Sequence, residues 1–287
     1  MCITNDYIFN GKRIVIFINS LETGGAEKQA VLLAKALNNK YNVWLVVYYG
    51  EQVGKIFLEL IEANEINVVL LIGNHVKRIF SFFRFLHQKS IYIIFSYLLT
   101  TNLISGIIGK ITKIDYCIGG IRDSSMPKWK LFIQKFLHNQ ILDRSIFNNY
   151  LGAKKFEKIG FKKEKIIVVP NGIDLNVKPL LRKRRDIVRI VSIGRFVAKK
   201  DYLTAIKSIS MLKKQRSSLE YIIVGWGILE NDIKKWISKY EIDDITKLVI
   251  DPDNIDEYYI NSDIYFQTSL YEGLSNTVME AMSFSLP

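Results

Sequence analysis

The feature that most constrains this chain is a rhythm. Short runs rich in Ile, Val and Phe recur, with longer amphipathic stretches between them. The runs cover 13–18, 43–48, 68–72, 91–96, 115–119, 144–147 and 166–169, then 188–193, 221–224, 247–250 and 264–267. They do not alternate apolar with polar residues, as expected of strands buried on both faces. Stretches such as 26–37 and 202–214 repeat apolar residues at helical spacing. Strand–helix alternation of this kind predicts parallel sheets wrapped by helices, an α/β fold.

The rhythm breaks once. From Pro170 the chain reads PNGID, passes Pro179 and ends in the basic run Arg182-Lys183-Arg184-Arg185 before Asp186; a fresh alternation starts at Arg189. Pro and Gly interrupt regular structure, so the break predicts two doubly wound, Rossmann-like domains, residues 1–175 and 176–287. A length of 287 residues suits two domains. Ligands of such sheets bind at the C-terminal ends of the strands, which puts the expected site in a cleft between the domains. The second half offers only the runs from 188 onward and stops after a helix that begins near Ser275. Doubly wound domains usually have about five or six strands, so the second domain reads as incomplete, C-terminally truncated.

One segment invites a membrane reading. Residues 90–109 carry no charge, and a span needs about 20 such residues. Thr100, Thr101 and Asn102 sit in its middle, however, so the expectation is a buried strand over 91–96, a polar turn, and a buried helix from about Asn102. The N-terminus has an early Asp and no basic region ahead of a long apolar run, so no secretory signal is expected and the predicted location is cytoplasmic.

Composition narrows the partners. Hydrophobic residues make up 49% of the chain, enough for a sizeable core. Two cysteines, Cys2 and Cys117, exclude a disulfide scaffold and a multi-cysteine zinc site, and three histidines argue against a His-rich metal centre. Residues 1–175 carry 23 Lys and Arg against 13 Asp and Glu, a net of +10, whereas residues 176–287 carry a net of only +2. A basic first half suits an anionic partner: a membrane surface, nucleic acid or a phosphorylated substrate. No zinc finger, RNA-recognition signature or basic zipper supports nucleic acid, which is therefore not expected.

Three motifs carry chemistry. Glu272-Gly273-Leu274-Ser275-Asn276-Thr277-Val278-Met279-Glu280 follows a strand and opens a helix. Gly273 lets the chain turn, Ser275 or Asn276 can cap the helix, and the helix start favours a phosphate. Glu272 stands before the helix, and Glu280 can accept hydrogen bonds from sugar hydroxyls. Arg195 and Lys200 bracket the end of another strand, where an Arg fork and a Lys ammonium together can neutralise a pyrophosphate without a metal. Thr23-Gly24-Gly25-Ala26-Glu27 follows the first strand, and its glycines permit close approach of a substrate. Each also has a plainer reading: a strand–turn–helix with surface glutamates, two solvated cations, a tight turn.

Taken together, these segments resemble the retaining glycosyltransferases of family 4, which have the GT-B fold. GGAE, VVPNGID, SIGRFVAKKDYLTAI, YIIVGWG and DIYFQTSLYEGLSNTVMEAM stand in the family's order across nearly the whole chain. The resemblance implies transfer of a sugar from a nucleotide-diphosphate-sugar donor to a glycan or lipid-linked acceptor, with retention and no required metal or cofactor, in surface polysaccharide biosynthesis. It implies that Arg195 and Lys200 hold the donor diphosphate, that Glu272 contacts the donor sugar and that Glu280 contacts the ribose. Gly273, Leu274, Ser275, Asn276 and Gly225 then border the donor, and Gly24 and Gly25 the reaction centre from the acceptor side.

The chain departs from the family pattern in three places. Gly225-Trp226-Gly227 stands where many members have Gly-Asp-Gly. The loop SYLLTTN at 96–102 stands where many carry a cleft His; Arg122, in GGIRDS, is the best candidate for a cation on that side. Members also continue beyond the residue matching Pro287. The competing expectation is therefore an inactive truncated remnant of such an enzyme. Finally, 75–89 interleaves Lys77, Arg78 and Arg84 with Phe80 and Phe83. This suggests a helix that meets an anionic membrane surface, giving a peripheral seat on the inner face of the cell membrane.

Overall fold

A computed structural model of the chain describes residues 11–22, 24–122, 126–173, 186–216, 218–252 and 254–287. Two compact units result, Met1–Gly172 and Ile173–Pro287. Cys2, Thr23, Asp123, Ser124 and most of the expected seam, with Pro179 and the run from Arg182 to Arg185, lie outside the described residues.

The first unit is built on seven parallel strands: β1 (Arg13–Ile18), β2 (Asn42–Val47), β3 (Asn67–Leu70), β4 (Ile93–Tyr97), β5 (Tyr116–Ile121), β6 (Arg144–Phe147) and β7 (Ile166–Val168). Their order is β3-β2-β1-β4-β5-β6-β7. Strand β1 shows why the apolar runs do not alternate. Ile14, Ile16 and Ile18 enter one core with α1 (Gly25–Asn38) and α2 (Lys55–Ala63). Val15 and Phe17 enter another with α3 (His75–Lys89) and α4 (Leu98–Ile111). Successive side chains point to opposite faces of a strand, so a strand covered on both sides needs apolar residues throughout. Helix α5 (Lys128–Phe136), which runs on into a π-helical turn at Leu137–Ile141, and α6 (Tyr150–Lys158) complete the unit.

The segment after β4 corrects one expectation. No polar turn interrupts it: α4 begins at Leu98, directly after the strand, with Leu98 taking a left-handed φ of 73°. Thr101 and Asn102 are buried within the helix. The Thr101 hydroxyl donates to the Tyr97 carbonyl. The Asn102 amide accepts from the Ser96 hydroxyl at 2.8 Å and donates to the Gly120 carbonyl at 3.1 Å. The polar residues therefore bind the helix to β4 and β5, as buried polar groups must find partners. Among the described residues no helix is long and apolar enough to cross a membrane.

The second unit has four parallel strands, β8 (Val188–Ile193), β9 (Leu219–Gly225), β10 (Thr246–Ile250) and β11 (Ile264–Tyr265), in the order β10-β9-β8-β11. Helices α7 (Tyr202–Gln215) and α8 (Glu230–Lys239) cover one face, and α9 (Asp256–Ile260) and α10 (Asn276–Ser283) the other. Both units are Rossmann-like, as the sequence predicts.

Candidate functional site

In the second unit the loops after β8 and β9 lock together. The Gly194 N–H donates to the Val224 carbonyl at 3.0 Å, and the Phe196 N–H to the Trp226 carbonyl at 2.7 Å. Gly225 makes this approach possible: its φ is 152°, and a Cβ there would stand 2.0 Å from the Gly194 oxygen. Phe196 is fully buried and anchors the loop. Arg195, beside it, is exposed, and among the described residues its side chain makes no hydrogen bond or ion pair.

A short 3-10 turn, Ala198–Lys200, leads to Asp201, whose carboxylate caps α7 by accepting from the Thr204 N–H at 3.3 Å. The segment after β11 is stitched to this turn: the Thr268 hydroxyl donates to the Asp201 carbonyl at 2.8 Å and the Leu270 N–H to the Lys199 carbonyl at 2.8 Å. As a result Lys200 and Glu272 meet. Lys200 Nζ donates to Glu272 Oε1 at 2.7 Å, and Lys199 Nζ lies 4.0 Å from Oε2. Burial alone pushes the Glu272 carboxyl up, but the hydrogen bond and charge of Lys200, with the charge of Lys199, outweigh it and hold the group below its ordinary value.

Gly273 makes its turn without left-handed backbone. Ser275 occupies the N-cap position of α10, but its hydroxyl does not cap the helix. It donates instead to Gln267 Oε1 at 3.0 Å and lies 3.1 Å from the Thr277 hydroxyl. The Tyr265 hydroxyl joins the same knot, 2.7 Å from Thr277 Oγ1. The mouth of α10 is thus held in place by side chains, with no side-chain cap over its positive dipole end. Glu280 lies one turn into the helix, where the fully buried Tyr259 hydroxyl donates to its Oε2 at 3.0 Å. Burial, then the Glu280 charge, keeps that phenol protonated. A recess between β8 and β11 is lined by Ile193, Lys200, Tyr202, Tyr265, Gln267 and Thr268.

In the first unit Gly24 precedes α1 and Gly25 opens it. The carboxylate of Glu27 folds back over Gly24, so close that a Cβ on Gly24 would stand 2.1 Å from it. The start of α1 therefore already faces a carboxylate. Gln29 ties α1 to the far end of the unit: its Nε2 donates to the Gly172 carbonyl at 2.7 Å, and its Oε1 accepts from the Gly172 N–H at 2.9 Å. Next to Gly172, Asn171 accepts a hydrogen bond from Arg122 Nη1. The Arg122 guanidinium lies 4.8 Å over the Tyr97 ring, and its Nε is buried with no hydrogen-bond partner among the described residues. Gly24, Gly25 and Arg122 thus share the edge formed by the ends of β1, β4, β5 and β7.

Sequence reasoning did not find Lys199, Tyr259, Gln267, Gln29 or Asn171. Of these, only Gln267 left a signal, an amide interrupting the apolar run before Glu272. Among the described residues no cluster of three or more His, Cys, Asp or Glu is placed to hold a metal.

Residues 177–287 match the family described as "Glycosyl transferases group 1". Over 148 residues, 48% of this chain and 36% of the relative, the chain is 35% identical to the amylovoran biosynthesis glycosyltransferase AmsK of Erwinia amylovora. It is 26% identical, over the same shares, to WcaL of Escherichia coli K12, a putative colanic acid biosynthesis glycosyltransferase. Each match covers about a third of the relative's length. HepE of Anabaena, solved with UDP-glucose, superposes with a TM-score of 0.82 at 17% identity, covering 96% of this chain and 79% of that one. The likeness is one of fold, the GT-B class of two Rossmann-like units.

Proposed function

We propose that the chain is a glycosyltransferase. It moves a sugar from a nucleotide-diphosphate-sugar donor to a glycan or lipid-linked acceptor, with retention of configuration and no required metal, in surface polysaccharide synthesis. The observation that carries this reading is the Lys200–Glu272 contact at the mouth of α10, inside the segment that matches the group 1 family. AmsK and WcaL, named for amylovoran and colanic acid, support a polysaccharide product, and the UDP-glucose bound by HepE supports a nucleotide-sugar donor.

The chemistry follows from the charges. Breaking the sugar–phosphate bond leaves a diphosphate whose growing charge needs fixed cations. Arg195 supplies a fork that nothing else in the described unit engages, and Lys200 supplies an ammonium already held by a carboxylate. An arriving diphosphate competes with Glu272 for Lys200, and Glu272, once released, turns to the hydroxyls of the donor sugar. Leu274, Ser275 and Asn276 lead into the helix start beside the phosphates, and Glu280, steadied by Tyr259, takes the ribose. Gly225 shapes this site through the Gly194–Phe196 loop. In the first unit, Arg122 with Gly24 and Gly25 faces the acceptor side. A peripheral seat on the inner, cytoplasmic face of the cell membrane belongs to the same reading.

Arg195→Ala, Lys200→Ala and Glu272→Ala are each expected to lower sugar transfer about 100-fold or more. The product anomer, read by NMR, is expected to match that of the donor. Near-normal turnover in all three variants refutes the site, and an inverted product refutes retention.

A further inference from the structure

We propose that the outward face of α5, with Trp129, Phe132 and Phe136 beside the exposed Lys128 and Lys130, is the surface on which the first unit docks to an anionic lipid bilayer. This rests on the membrane part of the reading above and moves the contact away from α3, the helix that the sequence favours.

Trp129, Phe132 and Phe136 fall at i, i+3 and i+7 and so share one face of the helix. They are 61%, 74% and 54% exposed. The inner face of α5 is already occupied: Gln134 is buried, and Leu131 and Ile133 pack against the cores. The aromatics are therefore a second apolar face, presenting roughly 400 Å² of ring surface where a monomer's largest patch is about 300–600 Å² in all. Helix α4 packs beside the π-helical turn that continues α5. Gly106 leaves room for the Ile141 side chain, and Lys110 Nζ donates to the Gln140 carbonyl at 3.1 Å. Helix α4 in turn exposes Leu103, Ile107 and Ile111 along one stripe.

Charge selects the occupant. No Asp or Glu occurs from Met126 to Leu142, and none occurs in α4. Lys128 and Lys130 are exposed beside Trp129. Lys135 is turned inward, donating to the Ile159 carbonyl at 2.8 Å. Aromatics led by two exposed lysines, on a unit that carries the chain's excess positive charge, match a layer of acyl chains under anionic headgroups. Neither helix carries a carboxylate of its own by which a basic protein partner would be recognised. Helix α3 also exposes Val76 and Phe80 beside Lys77 and Arg84, but it is the poorer candidate: Phe80 is its one exposed phenylalanine, and its Arg78 is held by the Glu51 carboxylate at 2.8 Å and lies 4.8 Å over the Tyr49 ring. The placement also suits the proposed chemistry, because the chain leaves β5 at Arg122 and enters α5 at Lys128, at the edge of the sheet that carries Arg122.

The test mixes the full 287-residue chain with vesicles of phosphatidylcholine alone or with phosphatidylglycerol. The chain is expected to sediment with the anionic vesicles only. Replacing Trp129, Phe132 and Phe136 together by Ser is expected to cut the bound fraction about fivefold or more, with circular dichroism unchanged, whereas Val76→Ser with Phe80→Ser on α3 leaves it within about twofold. Brominated lipid is expected to quench tryptophan emission in the parent chain and not in Trp129→Phe. Three outcomes overturn the proposal: equal binding to neutral vesicles, no binding to either, or loss only in the α3 variant. A lipid-free dimer abolished by the α5 substitutions also overturns it, since the face then belongs to a second copy. None of these readouts involves sugar transfer, so the docking face and the enzymatic reading fail separately.

Discussion

At the scale of single residues the Lys200–Glu272 pair is the most informative contact. It sets a pH dependence with a definite sign. The Glu272 carboxyl is held below its ordinary value in the folded chain, so the ionised form favours the fold. Its contribution is present above the unfolded value of about 4.3 and is lost as pH falls through the depressed folded value. The stability gap between the parent and Glu272→Gln, measured by urea unfolding, is therefore expected to stay constant above about pH 5 and to narrow below about pH 4. A gap unchanged down to pH 3 contradicts the ion pair. The sequence pointed to both residues because each belongs to a strand-end motif. Tyr259 was not legible, since its hydroxyl reaches Glu280 only through the packing of α9 on α10 and no local pattern announces such a pairing.

At the scale of elements, what could be read depended on how many faces an element buries. Among the described residues, central strands such as β1 and β8 were visible because burial on both faces leaves continuous apolar runs, whereas the edge strands β3, β7, β10 and β11, with no fully buried residue, were legible from their Ile and Val content and their place in the alternation. The start of α4 was not, because a buried network and an exposed turn call for the same residues: Thr101 and Asn102 gave no sign that Ser96 and Gly120 were waiting for them. The α3 amphipathic pattern was legible, yet the place of Arg78 against Glu51 depended on a loop that periodicity does not describe. The β8–β9 corner makes a sharper prediction. Gly225→Ala places a Cβ 2.0 Å from the Gly194 oxygen at a φ that favours glycine. It is expected to cost about 3 kcal/mol or more, and to displace Arg195 with it. At Gly172 an added Cβ meets nothing within 4 Å. Gly172→Ala is therefore expected to cost less than about 1 kcal/mol. Equal urea midpoints for the two variants would remove the packing argument.

At the scale of the whole molecule, the chain is two Rossmann-like units, and the candidate residues of each lie at the C-terminal edge of its parallel sheet. The first unit brings Gly24, Gly25 and Arg122 to that edge; the second brings the Lys200–Glu272 ion pair and a helix start. On the proposed reading Arg195 and Lys200 provide the charge a diphosphate needs, and no metal is required. Calorimetric titration of the 287-residue chain with uridine, guanosine and adenosine diphosphates, in buffer containing excess chelator, tests the central claim most directly. The account predicts that at least one nucleotide binds without metal, and that Arg195→Ala, Lys200→Ala and Glu280→Ala each weaken it about tenfold or more, roughly 1.4 kcal/mol. No binding by any of the three, binding that appears only on adding magnesium or manganese, or affinity untouched in Lys200→Ala would contradict it.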